Sequence, residues 1–133
     1  MLGLLIVSHS EDAARGIAQI ASGMAGGNVA IEGVGGNDEG RLGVSLTKIQ
    51  DALSSLLSKT EGILVIPDLG SSVLSSRGAI DMLPPEDAAK TLIVDAPILE
   101  GAMLAAVEAS CGSSMEQVRE AAQEARNLKK VDH

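Results

Sequence analysis

His9 is the one histidine in the body of the chain, since the other, His133, is the final residue. It closes an apolar run, Gly3 to Val7, within Ser8-His9-Ser10, and a helical pattern starts directly after it. A second apolar run, Ile63 to Ile66, ends in Pro67-Asp68-Leu69-Gly70-Ser71-Ser72. An imidazole and a carboxylate at the ends of neighbouring strands have a defined chemistry. The carboxylate accepts a hydrogen bond from one ring nitrogen, fixes the tautomer and stabilises a cationic ring. The other nitrogen is left as a nucleophile. Gly70, Ser71 and Ser72 at a helix start add open backbone N–H groups, hydroxyl donors and the helix dipole, which together make a small anion cradle. The structural alternatives are plain: His9 as a space-filling or capping residue, and Asp68 as the N-cap of the next helix, a role aspartate favours.

Other chemistries lack their residues. No Gly-Lys-Ser/Thr occurs, so there is no Walker A loop, and the first strand lacks Gly-x-Gly-x-x-Gly. Gly35-Gly36 and Gly40 offer a flexible flap beside His9, or an ordinary glycine-rich connection. What remains is a nucleophilic imidazole, an orienting carboxylate and a cradle, with no call for a metal or cofactor. That set suits a residue that receives a phosphoryl group and hands it on. A charge of about −2 held by helix amides, rather than by Arg or Lys, is free to leave again.

These residues need a frame. Three strongly apolar, β-branched runs, Leu4–Val7, Ile63–Ile66 and Leu92–Val94, and a weaker one, Val29–Val34, each precede a helical pattern. Alternation of buried strands with helices predicts an α/β fold, a three-layer αβα arrangement with an open, mainly parallel sheet of about four strands. Strand order 2-1-3-4 makes strands one and three neighbours, so that His9 and Asp68 meet at the point where the order reverses. Ser114 and Gln117 form a capping-box pattern for a last helix, expected to run to about Leu128. Residues 1–133 are expected to form a single domain.

The composition narrows the partners. The chain is 45% hydrophobic without one Phe, Trp or Tyr, so the core must be built from aliphatic residues and alanine. A formal charge of −8 disfavours nucleic acid and anionic membranes. No apolar run reaches the roughly 18 residues needed to span a bilayer, and no signal peptide is visible, so a cytoplasmic protein is expected. The single cysteine, Cys111, excludes an internal disulfide and is expected to be buried. Ile98–Ala109 is apolar nearly all round, which requires deep burial or a subunit interface, and favours a homodimer.

In order along the chain, GLLIVSHS, GVGGNDEGRLGVSLTKI, ILVIPDLGSSVLS and DAPILEGAMLAAV resemble the DhaM-type phosphotransferase subunits of bacterial dihydroxyacetone kinase. Their domain has the mannose-type EIIA fold of the phosphoenolpyruvate-dependent phosphotransferase system (PTS). The likeness runs from Leu2 to about Ala125. It implies that His9 is the phosphorylated histidine and Asp68 its hydrogen-bonded carboxylate. Gly70, Ser71 and Ser72 match the loop around the phosphoryl group, and Gly36, Asp38, Gly40 and Ser45 match a second block. It also implies a phosphoryl donor, HPr, an acceptor, ADP on the DhaL subunit, a DhaK subunit carrying dihydroxyacetone, and a homodimer. Gly43-Val44-Ser45 stands where the family has Gly-Thr-Ser, so a threonine hydroxyl is missing. No HPr-like or enzyme I-like extension follows, so a separate HPr is expected.

The alternative of the same chemistry is the EIIA component of a mannose-type sugar transporter. A rival of another class is a receiver-type module phosphorylated on Asp68. A purely structural or binding protein is the third.

Overall fold

The computed structural model describes residues 1–132. Its elements are β1 (Leu2–Ser8), α1 (Glu11–Met24), β2 (Val29–Gly35), α2 (Leu46–Leu57), β3 (Ile63–Pro67), α3 (Gly70–Asp81), the single turn α4 (Pro85–Ala88), β4 (Thr91–Ile93), α5 (Ile98–Ser110) and α6 (Met115–Glu124), followed by a 3₁₀ turn, Ala125–Asn127. The four strands form one sheet in the order β2-β1-β3-β4. All neighbours run parallel: Val7 is paired with Val34 on one side and Pro67 on the other, and Ser8 with Gly35. The order therefore reverses between β1 and β3, as the sequence predicts.

The central strands are buried on both faces, which their unbroken aliphatic runs require. Side-chain alternation divides the interior in two. Leu4, Ile6, Leu64 and Ile66 face α1, α5 and α6, where the helices contribute Ala18, Ala21, Ala102, Ala105, Ala106, Val118 and Ala122. Leu5, Val7, Ile63 and Val65 face the other way, against Ile49, Leu53, Leu56 and Ala79 of α2 and α3. Alanines on the buried faces of α1, α5 and α6 let these helices lie close to the sheet. The closest approach is at β2. A Cβ on Gly33 would lie 2.3 Å from the Ala14 carbonyl oxygen, and one on Gly35 2.6 Å from those of Ser8 and Ser10. Only glycine lets α1 start this near the strand end.

Several local expectations change. Cys111 is exposed, not buried, because it caps the C-terminus of α5 and turns outward with Gly112 at φ +82°. Helix α3 turns Ser72, Ser76 and Ala79 inward and leaves Leu74 exposed, so its buried face is not its most apolar one. The last α-helix stops at Glu124 and tightens into the 3₁₀ turn before Leu128. Its capping box is present, with Ser114 and Gln117 bonded reciprocally. α5 owes its apolar surface to its place on the sheet between α1 and α6, where Gly101, Ala102, Ala105, Ala106 and Ala109 are buried. Leu99, Met103 and Leu104 stay half-buried and Val107 is exposed, so that packing covers only part of its apolar surface.

Candidate functional site

The site forms where β1 and β3 end side by side. β1 carries His9 one residue past its last rung, and β3 carries Asp68 one residue past its own. The Asp68 N–H still donates to the Val7 carbonyl at 3.0 Å, which continues the ladder. The next rung uses the side chain: the His9 N–H donates to Asp68 Oδ2 at 3.0 Å. The carboxylate thus stands in for a backbone carbonyl and is held in the plane of the sheet. From there its other oxygen, Oδ1, lies 3.0 Å from His9 Nδ1.

Five donors converge on this carboxylate. Oδ1 meets the ring, the Leu69 N–H at 2.7 Å and the Ser72 hydroxyl at 2.6 Å. Oδ2 takes the His9 N–H and the Ser8 hydroxyl at 2.9 Å. Burial pushes the Asp68 carboxyl up, but hydrogen bonds from Ser72, the His9 N–H, the His9 ring and Ser8 outweigh it. They hold the acid far below its ordinary range. Asp68 therefore remains a carboxylate throughout the physiological range. As an acceptor-only group it fixes the hydrogen on Nδ1. The ring's other nitrogen, Nε2, takes no part in these bonds, and the His9 side chain keeps 28% of its exposure.

His9 is fixed from the backbone as well. Its carbonyl accepts from the Gly43 N–H at 2.9 Å, which ties the 36–45 loop to the strand end. Ser10 then caps α1, its Oγ accepting from the Ala13 N–H at 3.1 Å. The glycine-rich loop has three glycines at positive φ, Gly36 (+81°), Gly40 (+78°) and Gly43 (+143°), which let it double back between β2 and α2.

The expected cradle residues divide. Gly70 and Ser71 lie exposed in the first turn of α3, and that helix is capped by Leu69 without a side-chain hydrogen bond. Its first N–H groups are therefore open toward an anion. Ser72 is buried, and its hydroxyl is committed to Asp68 and to the His9 ring nitrogen, 3.3 Å away. Ser45 is also buried. It caps α2 by accepting from the Lys48 N–H at 3.2 Å and donates to Asp38. Gly36 is buried at the start of the loop. Asp68 itself is not the N-cap of α3, since Leu69 holds that position. Beside Asp68 opens a cleft of about 540 Å³, lined in part by Leu69, Gly70, Val73, Arg77 and Asp95. Among the described residues no group of three or more His, Cys, Asp or Glu could hold a metal ion, and no helix is long and apolar enough to cross a membrane.

Sequence reasoning passed over Ser8, and placed Gly35 in a flap or connection, whereas it ends β2 opposite Ser8. Ser8 is 4% exposed, and its hydroxyl both donates to Asp68 and accepts from the Ser10 N–H at 3.1 Å. A hydroxyl ending an otherwise aliphatic strand was the available signal. The place of Gly35 in the strand depends on how α1 packs on β2, which spacing does not show.

Fold and site together define an open parallel α/β protein that presents one histidine, backed by a carboxylate, where its strand order reverses. The family model of the PTS system fructose IIA component, mannose-type EIIA, matches residues 3–119. A Listeria innocua protein named PEP-dependent dihydroxyacetone kinase 2, phosphoryl donor subunit DhaM, is 36% identical over 118 residues, covering 89% of this chain and 94% of that one. A DhaM phosphoryl donor subunit from Providencia stuartii is 37% identical over 132 residues, covering 97% of this chain but 28% of its own length. A crystal structure of a protein of unknown function superposes with a TM-score of 0.80 at 36% identity, covering 92% of both chains. The chain belongs to the mannose-type EIIA family of the PTS, in its DhaM group.

Proposed function

We propose that this protein is the phosphoryl-relay subunit of a PEP-dependent dihydroxyacetone kinase, with His9 as the residue that carries the phosphoryl group. The Nε2 lone pair attacks the phosphorus of a phosphorylated HPr. A P–N bond forms to His9 while the donor's P–N bond breaks, its electron pair staying on the donor nitrogen. The proton on Nδ1 stays in place, and the positive charge on the ring is met by Asp68. The open N–H groups of Gly70 and Ser71 face the phosphoryl oxygens. In the second half the same bond breaks toward ADP held by DhaL, and neutral imidazole leaves. DhaK supplies the dihydroxyacetone. No redistribution of protons is needed within this chain, which suits a site that must run in both directions. A homodimer is part of the same reading and rests on the family resemblance.

The observation that carries this reading is the 3.0 Å contact between His9 Nδ1 and Asp68 Oδ1, which leaves Nε2 outside the pair on a partly exposed side chain. Labelling with radioactive phosphoenolpyruvate, enzyme I and HPr tests it. The label should be acid-labile, stable to base and absent from His9→Ala. A base-labile label points to an acyl phosphate on Asp68 and overturns the histidine assignment. Labelled protein is then mixed with DhaL–ADP or with a transporter EII subunit. Loss of label to DhaL–ADP alone supports the kinase, and loss to the transporter subunit alone supports the sugar-transport alternative.

A further inference from the structure

We propose that Ser8 is a positioning residue that moderates the hold of Asp68 on His9, and so sets the balance between accepting and releasing the phosphoryl group. This deepens the relay reading above and rests on it.

The argument begins with a hydroxyl the strand does not need. Ser8 is the last residue of β1 and is paired with Gly35 by its backbone. Its side chain is buried, where an aliphatic group like those before it would fit the core pattern. Both recorded contacts of its Oγ go to the site: the proton to Asp68 Oδ2, and a lone pair to the Ser10 N–H. Together with the His9 N–H on the same oxygen, this bonds the backbone on both sides of the imidazole, directly or through Ser8, to Oδ2. The ring itself meets the other oxygen, Oδ1. Ser8 thus acts on the oxygen that the ring does not touch, while Oδ1 is shared by the ring, the Leu69 N–H and the Ser72 hydroxyl.

Donors on a carboxylate have a second effect. A carboxylate offers about four lone-pair sites, and here five donors draw on it. Each donor disperses negative charge and makes the group a weaker acceptor for the rest. Nδ1–H therefore faces a moderated anion. A stronger anion would stabilise the cationic, phosphorylated ring more than the free ring. The protein would then keep its phosphoryl group rather than pass it on. Removing the Ser8 hydroxyl withdraws one donor from Oδ2 while leaving the ring's partner in place. The other charged groups on the elements that meet here are the same in wild type and in Ser8→Ala, among them Glu11, Asp12 and Arg15 on α1, Asp38 and Arg41 in the loop, and Lys48 on α2.

The test compares wild type, Ser8→Ala, Ser8→Cys and Ser8→Thr, with Asp68→Asn alone and combined with Ser8→Ala. The first measurement is the equilibrium constant for phosphoryl exchange with phosphorylated HPr. In Ser8→Ala it should shift toward phosphorylation of this protein by about fivefold, with release slowed by a similar factor. Ser8→Cys, a poor donor, should shift it in the same direction, and Ser8→Thr should stay near wild type. In the Asp68→Asn background the same change should have no effect on the constant, because the link runs through the carboxylate. The second measurement needs no phosphoryl donor: the ¹H resonance of Nδ1–H should move downfield in Ser8→Ala.

Forward and reverse rates falling equally, with the constant unmoved, overturn the proposal. So does a shift that persists in the Asp68→Asn background. Failure of the relay reading looks different. Wild-type protein would then take no acid-labile label at all, while the Nδ1–H resonance still reports whether Ser8 acts on the pair.

Discussion

Asp68→Asn keeps the shape of the side chain and removes its charge. Oδ1 faces three donors and Oδ2 two, so an amide must oppose its NH₂ to donors on one side. The less costly choice puts NH₂ at the Oδ2 position, because the Ser8 hydroxyl can rotate to accept. The His9 N–H cannot rotate. One partly buried N–H left facing another donor lowers stability by about 1–3 kcal/mol. At the ring, Nδ1–H keeps an acceptor, but a neutral one. A hydrogen bond to a charged group is worth about 1.5–3 kcal/mol and a neutral one about 0.5–1.5. The difference, about 1.5 kcal/mol, falls on the state in which the ring is cationic. It corresponds to phosphoryl transfer slowed by about tenfold or more. Rapid-quench measurement of label passing from phosphorylated HPr to the variant gives the rate, and urea unfolding gives the stability. A folded Asp68→Asn protein that transfers within twofold of wild type would refute the reasoning. Asp68 would then serve only to turn the chain from β3 into α3.

The same carboxylate gives a pH signature. Its acid is depressed in the folded protein, so its stabilising contribution is present above the ordinary value near 3.8 and is lost as pH falls below it toward the folded value. The stability gap between wild type and Asp68→Asn should narrow between pH 6 and pH 3 in urea titrations, and a widening gap would contradict the assignment. Gly35→Ala places a Cβ 2.6 Å from the Ser8 and Ser10 carbonyls. It should destabilise by about 1–3 kcal/mol and slow transfer as well, because the displaced carbonyls flank His9. Ser45→Ala should lower stability by about 1 kcal/mol through loss of the α2 cap and leave transfer within twofold. A large loss of transfer at unchanged stability would make Ser45 a contact of the phosphoryl group.

The strand order and the meeting of His9 with Asp68 were legible because they follow from few rules. Aliphatic runs of strand length must be buried on both faces, and right-handed crossovers leave few ways to order four of them. Once β1 and β3 are neighbours, residues one past their ends have to meet. The local errors share a cause. Hydropathy alone suggests burial for Cys111, but the exposure of a C-cap, like that of Leu74 on α3, is set by where the helix lies, not by its composition. The buried face of α3 carries Ser72 and Ser76, which an apolar pattern cannot point to. Within the site, residue type pointed to His9 and Asp68, which the fold brings into contact, but not to the allocation of hydrogen bonds. Ser72 was expected to face the phosphoryl group, whereas its hydroxyl is spent on Asp68. That depends on a hydroxyl rotor and one turn of helix, which spacing does not encode.

On the proposed relay, the allocation bears on how so acidic a chain would carry a phosphoryl group. With a formal charge of −8, bulk electrostatics repels an incoming phosphate, and the carboxylate behind His9 adds to that locally. The structure offsets this with dipoles. Five donors draw the charge of Asp68 inward, and the first turn of α3 presents uncapped N–H groups outward. The negative group is thus solvated by protein on its buried side before any phosphate arrives. Fixed dipoles also need no reorganisation when the phosphoryl group leaves, whereas a lysine or arginine clamp would have to be released. On this account, placing a cation next to His9, for example by Ser71→Arg, should strengthen retention of the phosphoryl group and slow its release to the acceptor. A variant that released faster would show that neutralisation, rather than moderation, limits the relay.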